Sequence, residues 1–245
     1  MIVEEKQLES ALQQAIDNSV LEKKGKKAKE RNFDETLDLI INLRDVDVRN
    51  PNYKIDREFL LPNSIYDKKD LSIVFVAKGD MVVELQDKKY DVIDDKYLSE
   101  LDKKDVKAKK KFVKKYDAFV CQAPLMRNIA KTLGRYLGQS GKMPKPQPKG
   151  YGIIRPDEEI ERIIDNFRRR IKLRTRRTPM LQTKFGKKSM DFKENFENLK
   201  SVYNLIESQL PNGQGNVRSI YVKTTMGKPV KVQEPKSSRK GGKRR

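Results

Sequence analysis

From Phe33 to Arg44 the chain alternates. Glu35, Leu37, Leu39, Ile41 and Leu43 share a parity with Phe33, while Asp34, Thr36, Asp38, Asn42 and Arg44 take the other. A period of two predicts a long strand with one face in a core and one polar face. Upstream, Leu8, Leu12, Ala15 and Ile16 recur at helical spacing and predict an amphipathic helix, separated from the strand by the basic stretch Lys23–Arg31. Beyond Asn50-Pro51-Asn52, the run Lys54–Leu61 reads as the hairpin partner of the first strand, ended by Pro62-Asn63-Ser64.

The grammar changes near Tyr66. Leu71–Ala77 is almost wholly apolar, as a strand buried on both faces requires. Helical spacing follows Gly79-Asp80 through Leu85, then a strand over Tyr90–Ile93 and one Lys-rich helix over Lys96–Val113. A third strand, Tyr116–Cys121, precedes a helix over Leu125–Leu137, and Gly138–Gly150 reads as an exposed loop. Strand and helix alternating three times imply a parallel sheet with helical crossovers.

Pro156 opens another helix, with Asp157, Glu158 and Glu159 in its first turn and Ile160, Ile163, Ile164, Phe167 and Ile171 as its apolar stripe. Lys172–Lys188 reads as one or two strands. Asp191 with Glu194 resembles a capping box before a long helix carrying Phe196, Leu199, Tyr203, Ile206 and Leu210. Asn212-Gly213-Gln214-Gly215 turns into a last strand, Val217–Lys223.

The fold class expected is therefore mixed, α/β and α+β, in two domains. Residues 1–65 plus 157–232 form a discontinuous antiparallel α+β domain, and residues 66–156 an inserted Rossmann-like parallel α/β domain. Residues 233–245 are too polar to fold alone.

Composition narrows the chemistry. The 245 residues carry 55 Lys+Arg against 35 Asp+Glu, a net charge of +20, and include no His, no Trp and one Cys. Imidazole acid–base catalysis, Ser-His-Asp and Cys-His triads, His-based metal sites and internal disulfides are thereby excluded. No signal peptide or bilayer-spanning run is present, so a cytoplasmic location is expected, with neither a membrane nor a small-molecule substrate as partner. Such basicity points to a polyanion. The densest block, Phe167–Lys188, holds ten basic residues and no acidic one. Lys172, Arg174 and Arg176 share a parity within it, and Lys184 lies further on. Self-repulsion there is unfavourable unless an anion relieves it. Folded RNA suits the chain better than duplex DNA, since no helix-turn-helix, zinc-finger or basic-zipper pattern occurs and A-form RNA is read by shape.

Three strings carry a resemblance. Val217–Val232 contains VRSIYVKTTMGKPVKV, Phe119–Pro148 reads FVCQAPLMRNIAKTLGRYLGQSGKMPKPQP, and Arg31-Asn32-Phe33-Asp34-Glu35-Thr36 leads into the first strand. In this order they resemble the universal large-subunit ribosomal protein L-one family of the mobile stalk, in its archaeal spelling. The resemblance implies a domain built from both chain ends that binds large-subunit ribosomal RNA, and a hinged insert. It also implies a role near exit-site tRNA, assisting release of deacylated tRNA, and repression of the protein's own mRNA. Carried over by position, Phe33, Thr36, Ser219, Thr225, Met226 and Gly227 match the family's RNA-contacting surface. Arg31, Lys223 and Thr224 adjoin them. Gly227 would let backbone approach a ribose or phosphate, Thr224 and Thr225 offer hydroxyls, and Met226 an apolar contact. The loop Gly138-Gln139-Ser140-Gly141 departs from the Gly-Pro-Arg-Gly common in similar proteins, which weakens a phosphate-binding role there.

No cofactor is expected. Gly134, Gly138 and Gly141 follow a helix where a dinucleotide fingerprint follows a strand. Asp94, Asp95, Asp102 and Asp105 suit helix ends better than a metal, and Cys121 reads as a core residue. Two rivals stay open: an RNA-modifying enzyme holding a cofactor in the parallel domain, for which Ala77-Lys78-Gly79-Asp80 offers a single glycine, and a chromatin-like DNA binder.

Overall fold

The computed structural model describes residues 4–19, 32–47, 50, 53, 55–66, 71–146, 150–154, 159–175 and 178–232. The amino-terminal segment supplies helix α1 (Glu5–Asp17) and strands β1 (Thr36–Leu43) and β2 (Asp56–Leu60). The middle supplies β3 (Ile73–Val76), α2 (Asp80–Asp87), β4 (Asp91–Ile93), α3 (Asp95–Lys103), α4 (Val106–Lys115) and β5 (Ala118–Gln122). It continues with α5 (Met126–Ser140), β6 (Ile153–Ile154) and α6 (Ile160–Arg169). The last segment gives β7 (Arg170–Arg174), β8 (Met180–Lys187), α7 (Phe192–Gln209), β9 (Val217–Thr224) and β10 (Val230–Lys231). Two compact units result, one of Met1–Ile65 with Ile171–Arg245 and one of Tyr66–Arg170.

In the first unit β1 is a central strand. The sheet order is β10-β9-β1-β8, with every pair antiparallel. Leu37, Leu39, Ile41 and Leu43 all point inward, because strand alternation sends every second side chain to one face. They meet Leu181 and Phe185 of β8 and Ile220 and Val222 of β9 in one buried layer. Helix α1 packs on β9 and β10, α7 on β8, and the two helices on each other. Their buried stripes are Leu8, Ala11, Leu12 and Ala15 in α1 and Leu199, Val202, Tyr203 and Ile206 in α7. Asp191 caps α7 by accepting from the Lys193 amide.

In the second unit the parallel sheet runs β4-β3-β5-β6. Its strands are apolar at nearly every position because both faces are covered. Val74, Val76, Phe119 and Cys121 lie under Leu98, Val113, Ile129 and Leu133 of α3, α4 and α5. Phe75, Ala77, Ala118 and Val120 lie under Leu85 of α2 and Ile160, Ile163 and Phe167 of α6.

Several expectations are corrected. Strand β2 is not the hairpin partner of β1. Both edges of β1 are occupied by the longer strands β8 and β9, and β2 pairs with β7 in a separate two-stranded sheet. The single helix over Lys96–Val113 is two, broken where Lys104 and Asp105 turn extended (ψ 156° and 157°). The outer domain does not resume at residue 157. Helix α6 buries its apolar face in the parallel unit, and Ile171 belongs to strand β7, so the return falls at Ile171. Part of the Gly138–Gly150 loop is not exposed: Pro144 is buried, and a Cβ at Gly152 would stand 2.7 Å from the Pro144 Cα. Residues 233–245 lie outside the described residues.

Cys121 lies at 0% exposure, and burial pushes its thiol pKa up to about 12. Its thiolate is scarce at neutral pH, so the native protein is expected to resist an aromatic disulfide reagent at pH 8 and to titrate fully in guanidinium. Rapid reaction of the folded chain would contradict that burial.

Candidate nucleic-acid interface

The unburied face of the antiparallel sheet is fixed by strand register. Three rows cross it: Lys223–Asp38–Lys184, then Tyr221–Ile40–Gln182, then Ser219–Asn42–Met180. The lysines of the first row flank one carboxylate. Burial drives the Asp38 carboxyl above its usual range, against the pull of a Gln182 hydrogen bond and of Lys223 and Lys184. Burial likewise lowers the Lys184 ammonium, against the attraction of Asp38. For both groups burial outweighs pairing, so an incoming phosphate that adds negative charge favours charged Lys184.

At the end of these strands lies a corner held by internal hydrogen bonds. The Thr36 amide donates to Thr225 Oγ1 at 3.1 Å, and the two threonine hydroxyls share a bond of 2.8 Å. The Thr225 amide returns to the Thr36 carbonyl at 2.9 Å. Glu35, fully inside, accepts the Met226 amide at 3.0 Å, and Thr224 Oγ1 accepts the Gly227 amide at 3.1 Å. Asp34 accepts from the amide and hydroxyl of Ser189 at 3.1 and 2.7 Å and faces Lys187 at 3.7 Å. The acidic pair Asp34-Glu35 is thus turned into the scaffold. Two large apolar side chains stand outside, Met226 at 52% and Phe33 at 53% exposure, among the exposed polar residues Asn32, Asp34 and Lys228. The corner presents two unpaired hydrophobes beside a cationic row.

The expected site residues divide on this geometry. Phe33, Thr36, Lys223, Thr225 and Met226 gather at the corner, with Lys184 across Asp38 from Lys223. Thr224 is a correction: it is 0% exposed and its hydroxyl serves the turn, so it offers nothing outward. Gly227 is another. It is buried, and a Cβ there would strike Thr224 Oγ1 and come within 3.4 Å of the Asn18 carbonyl, so the protein itself fills the space. Ser219 lies at the far end of β9, 9% exposed, accepting from Asn42 Nδ2 at 2.9 Å. Lys172 and Arg174 share an exposed face, but of the β2–β7 ribbon, not of the main sheet. Lys172 stands 3.9 Å from Glu58 and Arg174 3.8 Å from Asp56. Arg169 pairs with Asp165 at 2.8 Å. The basic block therefore meets carboxylates, several of them from distant sequence, and its expected lack of compensation is corrected. Arg31 and Arg176 lie outside the described residues.

Asp38, Ile40, Gln182 and Tyr221 were missed. They share the open face, and the signal was present: Gln182 has the parity of Lys184, and Tyr221 that of Ser219 and Lys223. In the other unit, the Lys142 ammonium donates to the carbonyls of Val113 and Tyr116 at 3.1 and 2.6 Å, closing the end of α4. The carboxylates weighed as metal ligands serve the helices: Asp94 accepts the Tyr97 amide, Asp95 accepts from Asn128, and Asp102 pairs with Lys109.

The model of the Ribosomal protein L1p/L10e family matches residues 24–228. The chain is similar to the large ribosomal subunit protein uL1 of Thermococcus kodakarensis, 35% identical over 220 residues, covering 90% of this chain and 97% of the relative. That of Thermoplasma acidophilum is 38% identical over 210 residues, 84% of this chain and 91% of the relative. That of Methanothermobacter thermautotrophicus is 36% identical over 211 residues, 84% and 95% respectively.

Proposed function

The chain belongs to the ribosomal protein L1p/L10e family, and from that premise we propose that it docks on large-subunit ribosomal RNA through the corner and open face of its antiparallel sheet. It is a structural constituent of the large ribosomal subunit in the cytoplasm and not an enzyme, which removes the cofactor-dependent rival.

The observation that carries the reading is the corner. Its backbone is locked by Glu35, Thr36, Thr224 and Thr225, so Met226 is held out against solvent with only its side chain left to order. Lys223 and Lys184 supply phosphate contacts, which set affinity, while Met226 and Phe33 pack on sugar or base faces and set where the protein sits. The hydroxyls of Thr36 and Thr225 hold the frame. The protein's own mRNA would use the same surface and compete with ribosomal RNA, and the parallel unit would assist deacylated tRNA leaving the exit site.

Filter binding to ribosomal RNA fragments at several salt concentrations tests the surface. Phe33→Ala with Met226→Ala is expected to lose about tenfold or more of the preference for one fragment, a few contacts each worth about 1 kcal/mol. Lys184→Gln with Lys223→Gln should weaken all fragments alike and reduce the salt slope by about 1–2. Asp38→Asn should tighten binding, since it removes the negative charge between the two lysines. Undiminished preference in the first variant rejects the corner.

A further inference from the structure

The parallel unit carries a charged feature that the sheet surface does not use. Helix α4 places Lys107, Lys110, Lys111 and Lys114 at i, i+3, i+4 and i+7, a single stripe about 10 Å long at ~1.5 Å rise per residue. All four are exposed, and none forms an ion pair among the described residues. The nearby carboxylates are taken by other lysines: Asp102 pairs with Lys109 at 3.2 Å and Asp91 with Lys115 at 3.8 Å. Like charges three and four residues apart destabilise a helix. The opposite side of α4 is committed, with Val113 buried and Phe112 packed against the same core. The stripe is therefore a repulsive surface held in place by packing behind it.

We infer that this stripe is a second RNA contact, taking the phosphate backbone of an RNA double helix without regard to sequence. The inference rests on the ribosomal reading for its partner class and goes beyond it in placing a binding surface on the insert. Lysine alone selects the chemistry. An ammonium is a compact point charge that meets a phosphate but lacks the planar fork that reads a base edge. Single strands need open aromatic platforms, whereas Tyr97, the exposed ring beside α4 among the described residues, is covered by Lys104 at 5.4 Å and packs on Phe112 at 6.0 Å. A duplex asks only for charge at regular spacing.

The test uses the full chain with Lys107, Lys110, Lys111 and Lys114 all changed to Gln, which keeps helix propensity and removes the repulsion. Thermal unfolding should show the variant at least as stable as the parent. Its binding to a synthetic RNA duplex of unrelated sequence should fall about ten- to hundredfold at 0.1 M salt, with a salt slope shallower by about 2–3. Its preference among ribosomal RNA fragments should survive, because that is set in the other unit. Equal duplex binding by parent and variant overturns the inference. So does a parent that binds polyglutamate as tightly as duplex RNA at matched salt, which would mark an acidic protein segment as the partner. A parent with no fragment preference instead refutes the sheet surface and leaves the duplex comparison intact.

Discussion

Replacing Asn198 with Ala is expected to cost the first unit about 3–5 kcal/mol, since three backbone groups lose their partner at roughly 1–3 kcal/mol each. Asn198 sits on α7 at 0% exposure. Its Nδ2 donates to the carbonyls of Phe185 at 3.0 Å and Asn63 at 3.2 Å, and its Oδ1 accepts the Asn63 amide at 2.9 Å. One side chain thus joins the long helix, strand β8 and the segment after β2. Neighbouring Asn195 does related work, donating to the carbonyls of Lys187 and Met190 at 3.0 and 3.3 Å. A domain is stable by only about 5–15 kcal/mol, so the Ala variant should be close to unfolding. Amide exchange of Leu39 and Ile41, which reports opening of the central strand, provides the measurement. A change below about 1 kcal/mol would mean that water satisfies these groups.

The second large effect is at the corner. Gly227→Ala is expected to destabilise the turn by about 1–3 kcal/mol, the usual cost of overpacking, because its new methyl lands on Thr224 Oγ1. It should also lose ribosomal RNA preference, as Met226 is displaced. Thr224→Ala removes the γ oxygen that collides but also the acceptor of the Gly227 amide. The two changes touch the same atoms, so the double variant should be less damaged than the sum of the singles, with a coupling of about 0.5–3 kcal/mol. Purely additive losses would instead show that the new methyl does not act through Thr224.

Much of this architecture is written locally. Alternation in Thr36–Leu43 marks the face that packs, and unbroken apolar runs in β3 and β5 mark strands covered twice. Pairing is not local. Strand β2 reads as the natural neighbour of β1, and only the presence of two longer alternating strands far down the chain displaces it. The break between α3 and α4 had a signal in Asp105, a residue suited to start a helix, but lysines on both sides hide it. At the site, composition shows where positive charge is dense and not where it is free. Arg174 and Lys172 look uncompensated until Asp56 and Glu58 arrive from the partner strand. The resemblance located the corner, but roles within it depend on which hydroxyls face inward, a matter of three-dimensional closure.

Because β1 lies between β9 and β8, the order of synthesis matters to the cell. Strand β8 begins only at Met180, and β9 only at Val217, whereas the parallel unit draws all its strands from one continuous stretch. At roughly 5–20 residues per second, the first strand waits on the order of ten seconds or more after emerging before either neighbour exists. The insert can fold in that interval. The half-apolar strand ahead of it stays open to chaperones and to wrong partners, and a prematurely truncated chain never completes its antiparallel sheet.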